Sequence, residues 1–318
     1  MSFDVILPFL RPIESLIRDP AISEIMVNGP TCVFIERDGQ VELAPGVSIA
    51  EKSLQVAVKN IARALGDEIS EEKPLLESRL PDGSRVAAVM PPCSVGGTTL
   101  TIRKFHSRFF TADELVRTGS LTPALLRYFR DAVERRRNIL ISGGTSSGKT
   151  TLLTALTAFI SDRDRVVLIE DTSEVQMTLP NLVRFESRRE QPGVPAVTIR
   201  DLLRATLRHR PDRIVLGEVR GGEAFDLLQA LNTGHSGTLS TIHANSAAQA
   251  LSRFTSCVLQ SGVELPYQAI RANIGDALHL LVHLERPNGK RIVSEALQLL
   301  RFDPQNDRYL TAPVIAAE

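Results

Sequence analysis

The residues Gly143-Gly144-Thr145-Ser146-Ser147-Gly148-Lys149-Thr150 follow directly on the apolar run NILIS and precede TLLTALTAFI. Glycines at this spacing let backbone N–H groups close around phosphate oxygens, and the N-terminus of a following helix adds positive potential. Lys149 then reaches the β and γ phosphates, and the hydroxyl of Thr150 is placed to ligate Mg²⁺. Thr151 completes the phosphate-binding stretch. Leu152, Leu153, Leu156 and Phe159 fall on one helical face, so the loop stands between a strand and a helix, the context this P-loop pattern requires. The expected chemistry is binding of ATP with Mg²⁺ and, given suitable acids, its hydrolysis.

Hydrolysis needs carboxylates to hold the metal and orient the attacking water, at the ends of strands beside the loop strand. Glu170, Asp171 and Glu174 stand just beyond the run VVLI, and Glu218 ends the run RIVLG. Alone, an acid at a strand end is as often a helix cap or a solvated charge. Beside a P-loop, Glu218 is the candidate for Mg²⁺, emerging from a dry sheet, and Glu174 is the candidate general base, in a loop after a neighbouring strand. His235 and His243 flank the run TLSTI eight residues apart, an even spacing that points both to one face of a continuous strand. A single strand histidine is usually structural. On the nucleotide side, His243 can donate to the γ-phosphate and report its presence, with His235 as a second binding candidate.

These residues need a sheet to hold them. From Asn138 onward the runs NILIS, RVVLIE, DRIVLGE, TLSTIHA and ALHLLVHL alternate with helical stretches, the pattern of a parallel sheet covered on both faces. Upstream the pattern differs. ISEIMVN, CVFIER and QVEL, separated by Asn28-Gly29-Pro30 and Asp38-Gly39, predict an antiparallel meander. Ser48 is the expected cap of a helix in which Leu54, Val58, Ile61 and Leu65 recur at helical spacing, with Gly66 as the stop. LESRL, RVAAVM and TLTIRKF resume the strand pattern. The organisation expected is an α+β domain over 1–106, a linker with a short helix over 107–122, and an α/β domain over 123–318.

Lys and Arg number 37 and Asp and Glu 37, so the whole chain lacks the basic field that dominates nucleic-acid affinity. The arginine-rich segment ESRREQPGVPAVTIRDLLRATLRHR carries Arg200, Arg204 and Arg208 at helical spacing with acids among them, which predicts a solvated or inter-subunit helix. Cys32, Cys93 and Cys257 form neither a disulfide framework nor paired zinc spacing, which suits a reducing cytoplasm. MSFDVILPFL lacks a basic n-region and a small-residue cleavage site, and no uncharged apolar run reaches the roughly 18 to 20 residues a spanning helix needs. Membrane contact is expected to be peripheral.

The segments ISGGTSSGKTTLL, VVLIEDTSEV, LLRATLRHRPDRIVLGEVRGGEAFDLLQALNTGHSGTLSTIHANS and LPDGSRVAAVMPPCSVGGTTLTIRKF resemble the Walker A, Asp box, Walker B, His box and first-domain signatures of the secretion and traffic ATPase superfamily. RPDRIVLGEVRGGEA and the His235 to His243 spacing are most similar to the conjugal-transfer, type IV secretion and tight-adherence pilus branch, beside the type II secretion ATPases. The resemblance implies a RecA-like motor domain preceded by a smaller, PAS-like α+β domain. It also implies a homohexamer, inner-membrane platform or channel partners, and first-domain arginines that reach the phosphates. By motif these are Arg103 in TIRKF and Arg85 in DGSRVAAV. Two other readings share the same loop: a RecA-like nucleic-acid motor, and a nucleotide-gated ring that scarcely turns over.

Overall fold

The computed structural model describes residues 4, 6–37, 39–105, 110–190 and 193–314. Asp38 of the expected Asp38-Gly39 turn, residues 106–109 at the start of the expected linker, residues 191–192 of the arginine-rich segment, and residues 1–3 and 5 lie outside that set. The chain divides into two compact units, Met1–Arg108 and Phe109–Glu318.

In the first unit, α1 (Glu14–Arg18) precedes a meander of β1 (Ile22–Asn28), β2 (Val33–Arg37) and β3 (Gln40–Leu43). Then come α2 (Glu51–Ala64), β4 (Leu75–Arg79), β5 (Arg85–Val89) and β6 (Thr99–Arg103). The strands form one antiparallel sheet in the order β3-β2-β1-β6-β5-β4. Alternation sends Ile25, Val27, Ile35, Val86, Ala88, Leu100 and Ile102 into a core shared with Leu54, Val58 and Ile61 of α2. Ser48 does not cap that helix. The N-cap is Ala50, which makes no side-chain cap, because Ile49 is buried and bonded to Pro30 O, so the helix begins two residues further on. The first-turn acid Glu51 instead accepts from the Thr98 N–H at 3.0 Å and the Thr98 hydroxyl at 2.6 Å. Gly66, at φ +74°, follows the last turn as expected.

The second unit opens with α3 (Ala112–Arg117), closed by a Thr111/Glu114 capping box, and α4 (Pro123–Glu134), capped by Thr122 with Pro123 in its first turn. There follow β7 (Ile139–Gly143), α5 (Lys149–Thr157), β8 (Val166–Glu170), β9 (Leu182–Glu186), α6 (Ile199–Thr206), β10 (Arg213–Val219), α7 (Glu223–Asn232), β11 (Leu239–His243), α8 (Ala247–Leu259) and α9 (Tyr267–Ala277). The chain closes with β12 (Leu280–Glu285), β13 (Ile292–Asp303) and β14 (Arg308–Pro313). The sheet order is β14-β13-β12-β7-β11-β10-β8-β9. Pairing is parallel from β12 to β9, while β13 and β14 add antiparallel strands beside β12. The expected parallel sheet is therefore the centre of a mixed one. The strands β7, β8, β10, β11 and β12 were legible as near-continuous apolar runs because both faces are covered, α5 on one side and α7 and α8 on the other.

The start of β7 is fixed by one buried amide. Asn138 Oδ1 accepts from the N–H groups of Gly237 at 2.7 Å and Thr238 at 3.0 Å, and its Nδ2 donates to Ala277 O at 2.6 Å. These partners stand just before β11 and β12, so a single side chain aligns the loop strand with both neighbours. Asn138→Ala leaves three buried backbone groups without partners, and denaturant unfolding should show a loss of about 3 kcal/mol or more. A loss below about 1 kcal/mol would mean the register is set elsewhere.

Candidate active site

Strand β7 delivers its last residue, Gly143, into the loop, and α5 begins at Lys149. A Cβ on Gly143 would lie 2.5 Å from Ser147 Oγ and 2.6 Å from Leu284 O, so only glycine lets the loop fold back on itself. Gly148 caps α5 at φ +97°, a left-handed conformation. Gly144 and Thr145 are exposed, Ser146, Thr150 and Thr151 half-buried, and Ser147 buried with no hydrogen-bond partner for its hydroxyl. The Lys149 ammonium sits on the carbonyls of Gly143 at 3.0 Å and Gly144 at 2.8 Å. Burial lowers its pKa, and the Glu218 and Glu174 carboxylates pull it back up. Arg291 donates to Ser146 O at 3.0 Å and braces the loop from beside β13, a contact that no local signal in the sequence announces.

Parallel pairing places His243 of β11 level with Gly143. Its Nε2 lies 2.8 Å from Glu218 Oε1, and Arg220 Nε donates to Glu218 Oε2 at 2.5 Å. Thr241 holds the strand behind this pair by donating to Gly217 O at 2.7 Å. Burial pushes the His243 imidazole below its ordinary value, against the pull of Glu218. The structure thus brings Gly143, Lys149, Glu218 and His243 to one edge of the sheet. An ammonium and a close-walled glycine loop with an orphaned buried hydroxyl fit a polyphosphate. The Thr150 hydroxyl and the Glu218 carboxylate are the sparse oxygen donor set that suits Mg²⁺ carried on phosphates.

Glu174 is positioned by a device the sequence did not reveal. Glu170, at the end of β8 and 3% exposed, accepts from the N–H groups of Glu174 at 2.8 Å and Val175 at 2.7 Å. Arg184 of β9 donates to Ser173 Oγ at 2.8 Å and Val175 O at 2.6 Å and lies 3.6 Å from Glu170 Oε2. Burial raises the Glu170 pKa to about 6, with the two backbone bonds and Arg184 opposing. Glu170 was one of three acids read at this strand end; Arg184 escaped notice because β9 was not read as a strand.

His235 is not brought to the loop. Strand β11 starts only at Leu239, so the argument from even spacing fails. The left-handed Gly237 interrupts the chain between them, and the His235 ring meets Ala230 O at 3.2 Å, at the end of the strand opposite Gly143. Arg85 and Arg103 lie in the first unit as direct cross-strand partners, with Arg79 opposite Arg85 and Glu24 opposite Arg103. Like charges in register repel, so this arginine row is a feature of its own and Arg79 a member that sequence reading missed. Of the arginines expected on a solvated or inter-subunit helix, Arg200 and Arg204 both pair with Asp226 of α7, at 2.6 and 2.8 Å.

Over residues 9–302 the sequence matches the family described as Type II/IV secretion system protein. A probable conjugal transfer protein TrbB of Sinorhizobium fredii is 39% identical across 92% of this chain and 86% of its own length. The solved VirB11 ATPase of the Brucella suis type IV secretion system, in complex with sulphate, is 33% identical, with 92% of this chain and 94% of that one covered and a TM-score of 0.50. The ATPase DotB of Legionella pneumophila superposes with a TM-score of 0.60 at 21% identity, over 93% of this chain and 80% of that one, a likeness of fold alone. The expected architecture, a RecA-like α/β unit preceded by a smaller α+β unit, is the one observed.

The raised Glu170 pKa has a stability consequence. Its folded value, about 6, exceeds the ordinary 4.5, so the folded chain holds the proton longer and stability falls as pH rises through that window. Glu170→Gln removes the ionisation. The unfolding free energy of the variant relative to the parent should shift in its favour by about 2 kcal/mol between pH 4.5 and pH 7, read by denaturant unfolding. A difference independent of pH would show that Glu170 titrates normally.

Proposed function

We propose that this chain, which belongs to the Type II/IV secretion system protein family, is an ATPase that works as a homohexameric ring and powers substrate export, conjugal transfer or pilus assembly. The observation that carries the reading is the convergence of Lys149, Glu218 and His243 on the strand edge where the P-loop starts. Lys149 leaves its loop carbonyls to meet the β and γ phosphates, and backbone N–H groups of residues 143–150 line the polyphosphate. Mg²⁺, held by Thr150 and Glu218, neutralises phosphate charge during transfer. Glu174, its backbone fixed by Glu170, takes the proton of the attacking water. His243 exchanges its bond to Glu218 for one to the γ-phosphate, which ties the nucleotide to the strand that carries it.

Arg85 and Arg103 are assigned the phosphate-contacting role that the family resemblance implies. Among the described residues no helix is long and apolar enough to cross a membrane. We assign the ring to the cytoplasmic face of an inner membrane, in peripheral contact with platform or channel proteins, with no specific nucleic acid as partner.

The test is ATP hydrolysis by the purified protein with Mg²⁺ and with a chelator, beside Lys149→Ala and Glu174→Gln, and mass by light scattering. Activity should vanish with the chelator and fall about 100-fold or more in both variants, and it should travel with a six-subunit species. A monomer without turnover would sink the enzyme reading.

A further inference from the structure

Beside the P-loop lies a cavity of about 240 Å³ whose lining extends beyond every residue assigned so far. Gly143 and Gly144 form one wall, His243 and Asn245 a second, and Gln249 and Arg253 a third. Gln249 and Arg253 are four residues apart on α8, so they share a helix face. The opposite face, with Ala250, Leu251 and Phe254, is buried in the core. Arg253 is exposed, and its Nη2 lies 3.5 Å from Arg220 O, a long contact that leaves most of its donors directed elsewhere than this carbonyl. The Lys149 ammonium rests on the carbonyls of Gly143 and Gly144, so the cavity adjoins the end of the loop that this lysine serves.

The positive character of the cavity does not come from the start of α8. The Gln249 N–H is taken by Ser246 Oγ at 3.0 Å, and the Ala247 N–H by Glu295 Oε2 at 2.8 Å. It comes from a guanidinium, an imidazole and two side-chain amides. The nearby acids are otherwise engaged: Glu218 holds His243 and Arg220, and Glu223 accepts from the N–H groups of Arg220 and Gly221. Arg253 also bears electrostatically on His243, helping to keep it neutral. A planar fork of donors beside a lysine ammonium is the arrangement that selects a multiply charged tetrahedral oxyanion.

We infer that Arg253, supported by Gln249, contacts the terminal phosphoryl group of the nucleoside triphosphate and makes the site distinguish ATP from ADP. This rests on the ATP reading above. It gives α8 a direct link to the group that hydrolysis removes, one turn beyond the segment carrying His243.

Binding of a non-hydrolysable ATP analogue and of ADP is measured calorimetrically for the full chain, Arg253→Ala, Arg253→Lys and Lys149→Ala, with ring mass followed by light scattering. Arg253→Ala should weaken the triphosphate analogue about tenfold or more and ADP less than twofold, with Arg253→Lys in between. Equal weakening of both ligands, or loss of the ring with both, would overturn the assignment in favour of a structural role. Unchanged affinity for both, with only inhibition by inorganic phosphate relieved, would make the cavity a site for free phosphate and overturn it as well. Lys149→Ala separates the two failures: if it weakens neither ligand, the P-loop reading is at fault and not Arg253 alone.

Discussion

The site depends on parallel pairing without slippage between β7 and β11, which sets His243 level with Gly143. A slip of one residue would turn the His243 side chain to the opposite face of the sheet and separate it from Glu218. Parallel strands cannot fix their register through a tight turn, because their connections are long. The register is fixed instead by apolar faces packed on both sides and by Asn138, whose amide bonds the start of β11 and the segment before β12. An amide at the base of three strands thus controls side chains at their far ends, about five residues or roughly 16 Å away.

The acids of the second unit divide their work by burial. Glu170 is enclosed, has a raised pKa, and uses its oxygens on backbone N–H groups, so it shapes the loop and is poorly suited to be a metal ligand. Glu218 emerges where His243 and Arg220 can reach it and keeps an oxygen for each. Glu174 is left at the surface of a loop whose backbone is already held. Asp226 collects Arg200 and Arg204, and Asp164 collects Arg136 and the buried Arg213. A chain with no net charge therefore keeps many of its arginines in internal pairs, which limits the basic surface it can offer a nucleic acid.

What could be read in the sequence was what is local. The P-loop is contiguous, its glycines answer to contacts within a few residues, and the buried strands announce themselves as apolar runs. Glu218 and Glu174 were found because strand ends beside a P-loop are where such acids must stand. The Arg184 to Glu170 clamp joins β9 to β8, and β9 is an alternating edge strand, LVRFE, with no apolar run to mark it. β13 and β14 escaped for the same reason. His235 misled because even spacing was taken to mean one strand, whereas Gly237 turns the chain before β11 begins. Ser48 misled because tertiary burial of Ile49, and not the capping residue, decided where α2 starts.

The two cationic or proton-bearing groups nearest the loop already have partners. Lys149 bonds two carbonyls of its own loop, and His243 bonds Glu218. A phosphate that engages them must replace those bonds, so its affinity is the difference between two sets of contacts and not the sum of the new ones. Because Gly143 and Gly144 line the wall opposite α8, and His243 leads through Asn245 into that helix, the exchange is felt by a rigid element and not only by a loop. A site built from preoccupied donors is suited to conversion of chemical state into displacement, since what the nucleotide releases is as defined as what it binds.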